Sequence, residues 1–142
     1  MIEEYAHRRR PDDPAAVSWL VLSRWPQLSV DAAMAASGYG LPIAWDAVEQ
    51  GLSSRFAHVR GNCAYLVMKY RYDPLADKVV DLVNCEDDYS IVAGADAAVT
   101  FGRTSVLPRL REIGELANPD VQGQIPRAIA ELEALERTKP PL

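Results

Sequence analysis

The sequence has few of the residues that staple small secreted domains or build metal sites. It contains two cysteines, Cys63 and Cys85, and two histidines among 142 residues. Two cysteines do not make a disulfide framework, and their surroundings match no zinc-binding pattern. No apolar run approaches the ~18 residues that span a bilayer, and the acidic N-terminus has no signal-peptide core. We therefore expect no metal, no cofactor, no membrane contact and a cytoplasmic location.

Negative charge outnumbers positive charge, and the negative charge is unevenly distributed. The net charge is −5. Residues 1–72 carry eight Lys/Arg and seven Asp/Glu, whereas residues 73–142 carry seven and thirteen. Such an acidic half disfavours broad binding to nucleic acid, because phosphates need cationic partners. The alanine- and arginine-rich composition indicates a GC-rich bacterial or phage genome.

What is present is ordinary globular composition. Hydrophobic residues make up 49% and charged residues 25% of the chain, which argues against disorder. The length predicts a single domain, 1–142. We divide it into a loose charged arm (1–13), a helical half (13–72) and an acidic half (73–142). No internal repeat is evident in the sequence.

Hydrophobic periodicity predicts both helix and sheet. Capping residues and apolar spacing indicate three N-terminal helices, at 14–25, 29–37 and 41–54. The period then changes to two on either side of Gly61-Asn62, a typical hairpin turn. This pattern predicts an antiparallel three-stranded meander, at 55–60, 63–72 and 78–85.

The rest of the chain favours helix again. The segment 86–104 has no clear pattern, and two C-terminal helices follow it, from 105 and from 126. Because strands and helices are segregated along the chain, the expected fold class is α+β.

Residues 13–72 resemble a winged-helix module, on the order of three helices followed by a hairpin. The resemblance implies DNA binding, with helix three in the major groove. Asp46 and Glu49 on the outer face of that helix disfavour this. The implied wing would present one basic and aromatic face, made of His58, Arg60, Tyr65, Lys69 and Arg71.

Candidates for chemistry are weak. If the chain turns at Gly61-Asn62, Cys63 and His58 lie diagonally on one hairpin face, and a Cys–His dyad can act as a nucleophile. No third group to orient the histidine is visible. The glycines form no phosphate-binding loop, and the acidic residues after 72 match no calcium loop. A small enzyme that uses the dyad or the acidic cluster is therefore one alternative.

Two features favour recognition of a protein. Trp19 and Trp25 lie on a predicted helix, 14–25, that is apolar on all sides, as an interface hot spot or a homodimer contact would be. Glu86, Asp87 and Asp88 could bind a basic partner. We therefore expect a non-catalytic interaction module (an inhibitor, immunity-type protein, adaptor or assembly factor). The alternatives are a winged-helix DNA-binding regulator and the small enzyme.

Overall fold

The computed structural model describes residues 14–138, and these contain α-helices and short 3₁₀ turns without any strand. The charged arm predicted for 1–13 lies outside the described residues. No described helix is both long enough and apolar enough to cross a membrane. The eight helices within 14–138 are α1 (Val17–Leu20), α2 (Pro26–Gly38), α3 (Trp45–Leu52), α4 (Ala57–Lys69), α5 (Ala76–Val80), α6 (Asp88–Phe101), α7 (Leu107–Ile113) and α8 (Gln124–Thr138).

The predicted α+β fold is wrong, and the error is concentrated in α4. Gly61 and Asn62 lie inside this helix and form no hairpin turn. The segment resembles a strand because apolar residues alternate along it. Yet its fully buried positions include Val59, Cys63, Leu66 and Val67, which is helical spacing. Without a hairpin there is no wing, so the winged-helix resemblance fails with the sheet.

Three other segments also differ from the predicted secondary structure. The third predicted strand, 78–85, is divided between α5 and the 3₁₀ turn Asp81–Asn84. The unassigned segment 86–104 contains α6, which is 14 residues long. The first predicted helix, 14–25, is shorter than expected, because α1 ends at Leu20 and two turn residues follow it.

The helix boundaries repeat every 31 residues, although the sequence shows no obvious repeat. Short helical segments begin at Pro14, Trp45, Ala76 and Leu107, each 31 residues after the one before. The long helices α2, α4 and α6 begin at Pro26, Ala57 and Asp88, with the same spacing. The chain is therefore a series of short-helix, long-helix pairs, the arrangement typical of helical-repeat proteins.

A residue with positive φ follows each of the long helices α2, α4 and α6, again at intervals of 31 residues. Gly40, Arg71 and Gly102 have φ values of +62°, +48° and +68°. A left-handed residue at this point lets the last helical carbonyls accept backbone hydrogen bonds while the chain turns away. The N–H of Leu41 donates to the carbonyl of Ala36 at 2.9 Å in this way.

The chain forms two compact units, Met1–Tyr70 and Arg71–Leu142. In the N-terminal unit, α1 packs on α2, α3 packs on α4, and the long helices α2 and α4 pack on each other. In the C-terminal unit, α5 packs on α6, α7 packs on α8, and the long helices α6 and α8 pack on each other. Each unit therefore contains two helix pairs arranged in the same way.

Small residues allow these close contacts. Ala33, Ala64 and Ala95 occupy the same position of the 31-residue period, and all three are buried. Gly94, one residue before Ala95, lies against the chain after α5. A Cβ atom at Gly94 would approach the backbone nitrogen of Val83 to 2.5 Å and its Cγ1 to 2.8 Å. The backbone of Val83 cannot yield as a flexible side chain would.

We expect Gly94→Ala to destabilise the protein by roughly 1–3 kcal/mol through overpacking. Gly61→Ala is the matched control, since Gly61 also lies inside a helix but a methyl group added there would meet no atom within 4 Å. That control should stabilise by roughly 0.5–1 kcal/mol, because alanine is the better helix former. Urea denaturation followed by circular dichroism measures both, and equal shifts of the two midpoints would contradict the packing described.

Candidate functional site

The turns before α2 and α4 have the same sequence pattern and the same geometry. Each reads Ser-Arg-aromatic, as Ser23-Arg24-Trp25 and, 31 residues later, as Ser54-Arg55-Phe56. In each turn the serine Oγ accepts a hydrogen bond at 3.0 Å from the backbone N–H of the aromatic residue. This local bond fixes the chain direction just before the helix begins.

In both turns the arginine stacks on the aromatic ring beside it. The guanidinium carbon of Arg24 is 4.8 Å from the centroid of the Trp25 ring, and that of Arg55 is 4.9 Å from the Phe56 ring. Both arginines are exposed, and Trp25 is 57% exposed. Within residues 14–138 neither guanidinium has a carboxylate partner. Among the described residues, nothing therefore competes with an external anion for the stacked cations.

His58 joins the two turns. Its Nε2 is 2.8 Å from the carbonyl oxygen of Ser23, and because a carbonyl only accepts, Nε2 carries the donated proton. The imidazole also stacks on Phe56, with ring centroids 5.6 Å apart. The two Ser-Arg-aromatic turns are thus neighbours at one end of the N-terminal unit.

Two further contacts show that α2 and α4 run in the same direction. Near the start of α2, the amide Nδ2 of Asn62 donates to Ser29 Oγ at 2.9 Å. Further along, the hydroxyl of Tyr70 donates to the carbonyl of Ala36 at 3.5 Å. Both helices therefore begin at the same end. We call this surface the arginine–aromatic edge, and it consists of Ser23, Arg24, Trp25, Ser54, Arg55, Phe56 and His58.

The helix termini add to the positive character of this edge. Among the described residues, no side chain caps α2 or α4, and neither helix has an acidic residue in its first turn. By contrast, α6 is capped by Asp87 and has Asp88 in its first turn. An uncompensated helix N-terminus carries partial positive charge, so the helix dipoles of α2 and α4 reinforce Arg24 and Arg55.

The two tryptophans expected to be partner contacts have different environments. Trp19, in α1, is 5% exposed and packs inside its own chain. Trp25 lies in the turn before α2 and is more than half exposed. The structure therefore places one of the two at the surface. Sequence reasoning missed Arg24, Arg55 and Phe56, which only the recurrence of Ser-Arg-aromatic after 31 residues could have indicated.

Two of the three acidic residues expected to bind a partner, Asp87 and Asp88, accept hydrogen bonds from backbone N–H groups of their own chain. Asp87 Oδ2 accepts from the backbone N–H of Ser90 at 2.9 Å as the N-cap of α6. Asp88 Oδ2 accepts from the N–H of Asn118 at 3.3 Å. Of the three, Glu86 is the exposed one.

Cys63 and His58 do not form a nucleophilic dyad. They are five residues apart on α4, which places them on different sides of the helix. Cys63 is fully buried, and burial raises the pKa of its thiol to about 12. His58 Nε2 is already engaged with Ser23. The thiol therefore acts as a small apolar group in the core.

The residues assigned to the wing are spread over a helix. His58, Tyr65 and Lys69 follow one another at helical spacing along α4, whereas Arg60 points elsewhere, with its Nη1 donating to the carbonyl of Ser54 at 2.7 Å. Arg71 belongs to the C-terminal unit. The single basic face expected from strand pairing is therefore absent from the described chain.

A second candidate is an open cavity of about 460 Å³ in the C-terminal unit. Three of its charged lining residues, Asp77, Arg103 and Arg109, already have partners. Arg103 Nε donates to Asp77 Oδ1 at 3.0 Å, and this hydrogen bond raises the pKa of the guanidinium. Arg109 Nε donates to the carbonyl of Val83 at 3.1 Å. Opposite charges thus compensate each other here, unlike at the arginine–aromatic edge.

In comparisons with known proteins, no family model, curated protein or solved structure matches this chain significantly.

Asp87→Ala should destabilise the protein by roughly 0.5–2 kcal/mol, because it removes the cap of α6. Glu86→Ala is the control: it removes the same charge from the adjacent exposed position and should change stability by less than about 0.5 kcal/mol. Chemical denaturation compares them. Equal losses would show that the Asp87 carboxylate has no capping role.

A thiol-reactive probe should label Cys85 much faster than Cys63 in the folded protein. Burial raises the pKa of the Cys63 thiol to about 12, so little reactive thiolate is present at pH 8, and the side chain is also shielded from the probe. Cys85 is half-buried and reachable. Mass spectrometry of the labelled peptides measures both rates, and urea should make them similar. Fast labelling of Cys63 in the native state would contradict this.

Proposed function

We propose that the protein is a non-catalytic interaction module that binds a protein partner through its arginine–aromatic edge. The observation that carries the proposal is the exposed Trp25, stacked under Arg24 and joined through His58 to a second such pair. Tryptophan and arginine are the residues most enriched in binding hot spots. Stacking also orders the arginine before binding, which lowers the entropy that a complex would cost.

The helix pairs support the same interpretation. In helical-repeat proteins each pair is a rigid platform, and equivalent positions on successive pairs form extended binding surfaces. Here the equivalent turns of two successive pairs present the same Ser-Arg-aromatic motif. The roles that fit are those of an inhibitor, immunity-type protein, adaptor or assembly factor. The proposal sets this activity in the cytoplasm.

Affinity capture with the full chain from a lysate of its own source tests the proposal. We expect a stoichiometric protein that survives nuclease treatment. Trp25→Ala should weaken its capture by roughly 30-fold, the effect of losing a hot spot of about 2 kcal/mol. Tyr39→Ala is the matched control, since Tyr39 is an aromatic residue, 81% exposed, at the opposite end of the same helix.

Each other outcome changes the proposal in a defined way. A partner retained equally by the wild type and Trp25→Ala would contradict binding through this edge. Recovery of nucleic acid alone, lost on nuclease treatment, would replace the protein partner with a nucleic acid. Circular dichroism of each variant checks that the fold is intact.

A further inference from the structure

The arginine–aromatic edge presents two exposed positive charges, Arg24 and Arg55, on a chain whose net charge is −5. Arg24 and Arg55 have no carboxylate partner within residues 14–138, and the helices beside them begin without acidic residues. In the C-terminal unit, by contrast, Arg103 is paired with Asp73 and Asp77. A surface of exposed cations beside aromatic rings selects an anionic ligand that also carries apolar groups.

We infer that the partner of this edge is an acidic segment of another protein, in which two carboxylates flank an apolar side chain. This inference rests on the proposed function and names the chemistry that the same site would recognise. Each carboxylate would accept hydrogen bonds from one guanidinium. The apolar side chain would lie against Trp25 and Phe56, between the two arginines.

The spacing of the two turns limits the spacing of the carboxylates. The turns lie at the same end of α2 and α4, which pack directly on each other. Packed helices are about 8–10 Å apart. Arg24 and Arg55 lie in the turns that precede these two helices, so one short segment of a partner can contact both guanidinium groups. The favoured ligand therefore carries both carboxylates and the apolar side chain on one face of a single short segment.

The stacked geometry favours carboxylates over a purely apolar ligand. The guanidinium carbons of Arg24 and Arg55 lie 4.8 and 4.9 Å from the ring centroids, and both side chains are exposed, so their N–H donors face a bound partner. Those donors would be left unpaired beneath an apolar partner, and burying unpaired donors weakens binding. A partner with carboxylates satisfies them.

Selection from a random linear peptide library displayed on phage, with the full wild-type chain as the bait at low salt, tests the inference. The enriched peptides should contain two acidic residues with an apolar residue between them. Fluorescence anisotropy then measures the affinity of the most enriched peptide. Arg24→Ala and Arg55→Ala should each weaken it roughly tenfold, since each removes a charge-assisted contact.

The matched controls separate this contact from general charge. Lys69→Ala removes one exposed positive charge from the far end of α4 and should change the affinity less than about twofold, because exposed charges that distant are screened. Replacing the two acidic residues of the peptide by their amides should weaken binding as much as the double arginine variant does.

Several results would overturn the inference. Enriched peptides without acidic residues, or no enrichment at all, would contradict it, as would affinities unchanged by Arg24→Ala and Arg55→Ala. A wild-type chain that light scattering shows to be a dimer, and that the double variant makes monomeric, would place a second copy on the edge. A lysate partner lost with Trp25→Ala but kept by the double arginine variant would leave the proposed function standing and remove only the ligand chemistry.

Discussion

Close packing between helices that carry small buried side chains is the constraint on which the rest of this structure depends. Ala33 and Ala64 occupy equivalent, almost fully buried positions of α2 and α4, and Gly94 lies against the backbone at Val83. Small side chains leave little volume between helices, so backbones approach closely and the pairs keep one geometry. The turns at the ends of α2 and α4 become neighbours as a consequence of that packing.

The N-terminal and C-terminal ends of the long helices differ in local structure and in the groups they expose. At the C-terminal ends a left-handed residue such as Gly40 reverses the chain and satisfies carbonyl groups locally. At the N-terminal ends of α2 and α4 a serine satisfies the N–H group of the aromatic residue, and the arginine and the ring remain at the surface. The N-terminal turns therefore present the exposed groups through which we propose that this unit binds.

Sequence patterns predicted some of the helices and misassigned one stretch for a clear physical reason. The predicted segments 29–37 and 41–54 overlap α2 and α3 because of their apolar spacing, although no side chain of the described residues caps either helix. In α4, apolar side chains occur on several sides of the helix. A helix buried on most sides and a strand therefore have similar compositions, and local spacing does not distinguish them. Gly61 then suggested a turn, although glycine also occurs inside packed helices.

The 31-residue period is hard to recognise in the sequence because few equivalent positions carry the same residue: Ala32, Cys63 and Gly94 are buried at one position of the period and differ in size. The sequence alone determined the uneven charge, the scarcity of cysteine and histidine, and the Ser-Arg-aromatic turns themselves, since these are properties of composition and short segments. Only the tertiary structure decided that Cys63 and Trp19 are buried while Trp25 is exposed. It also decided that Arg24 and Arg55 share one edge, because neighbours separated by 31 residues are brought together by packing between helices and not by local spacing.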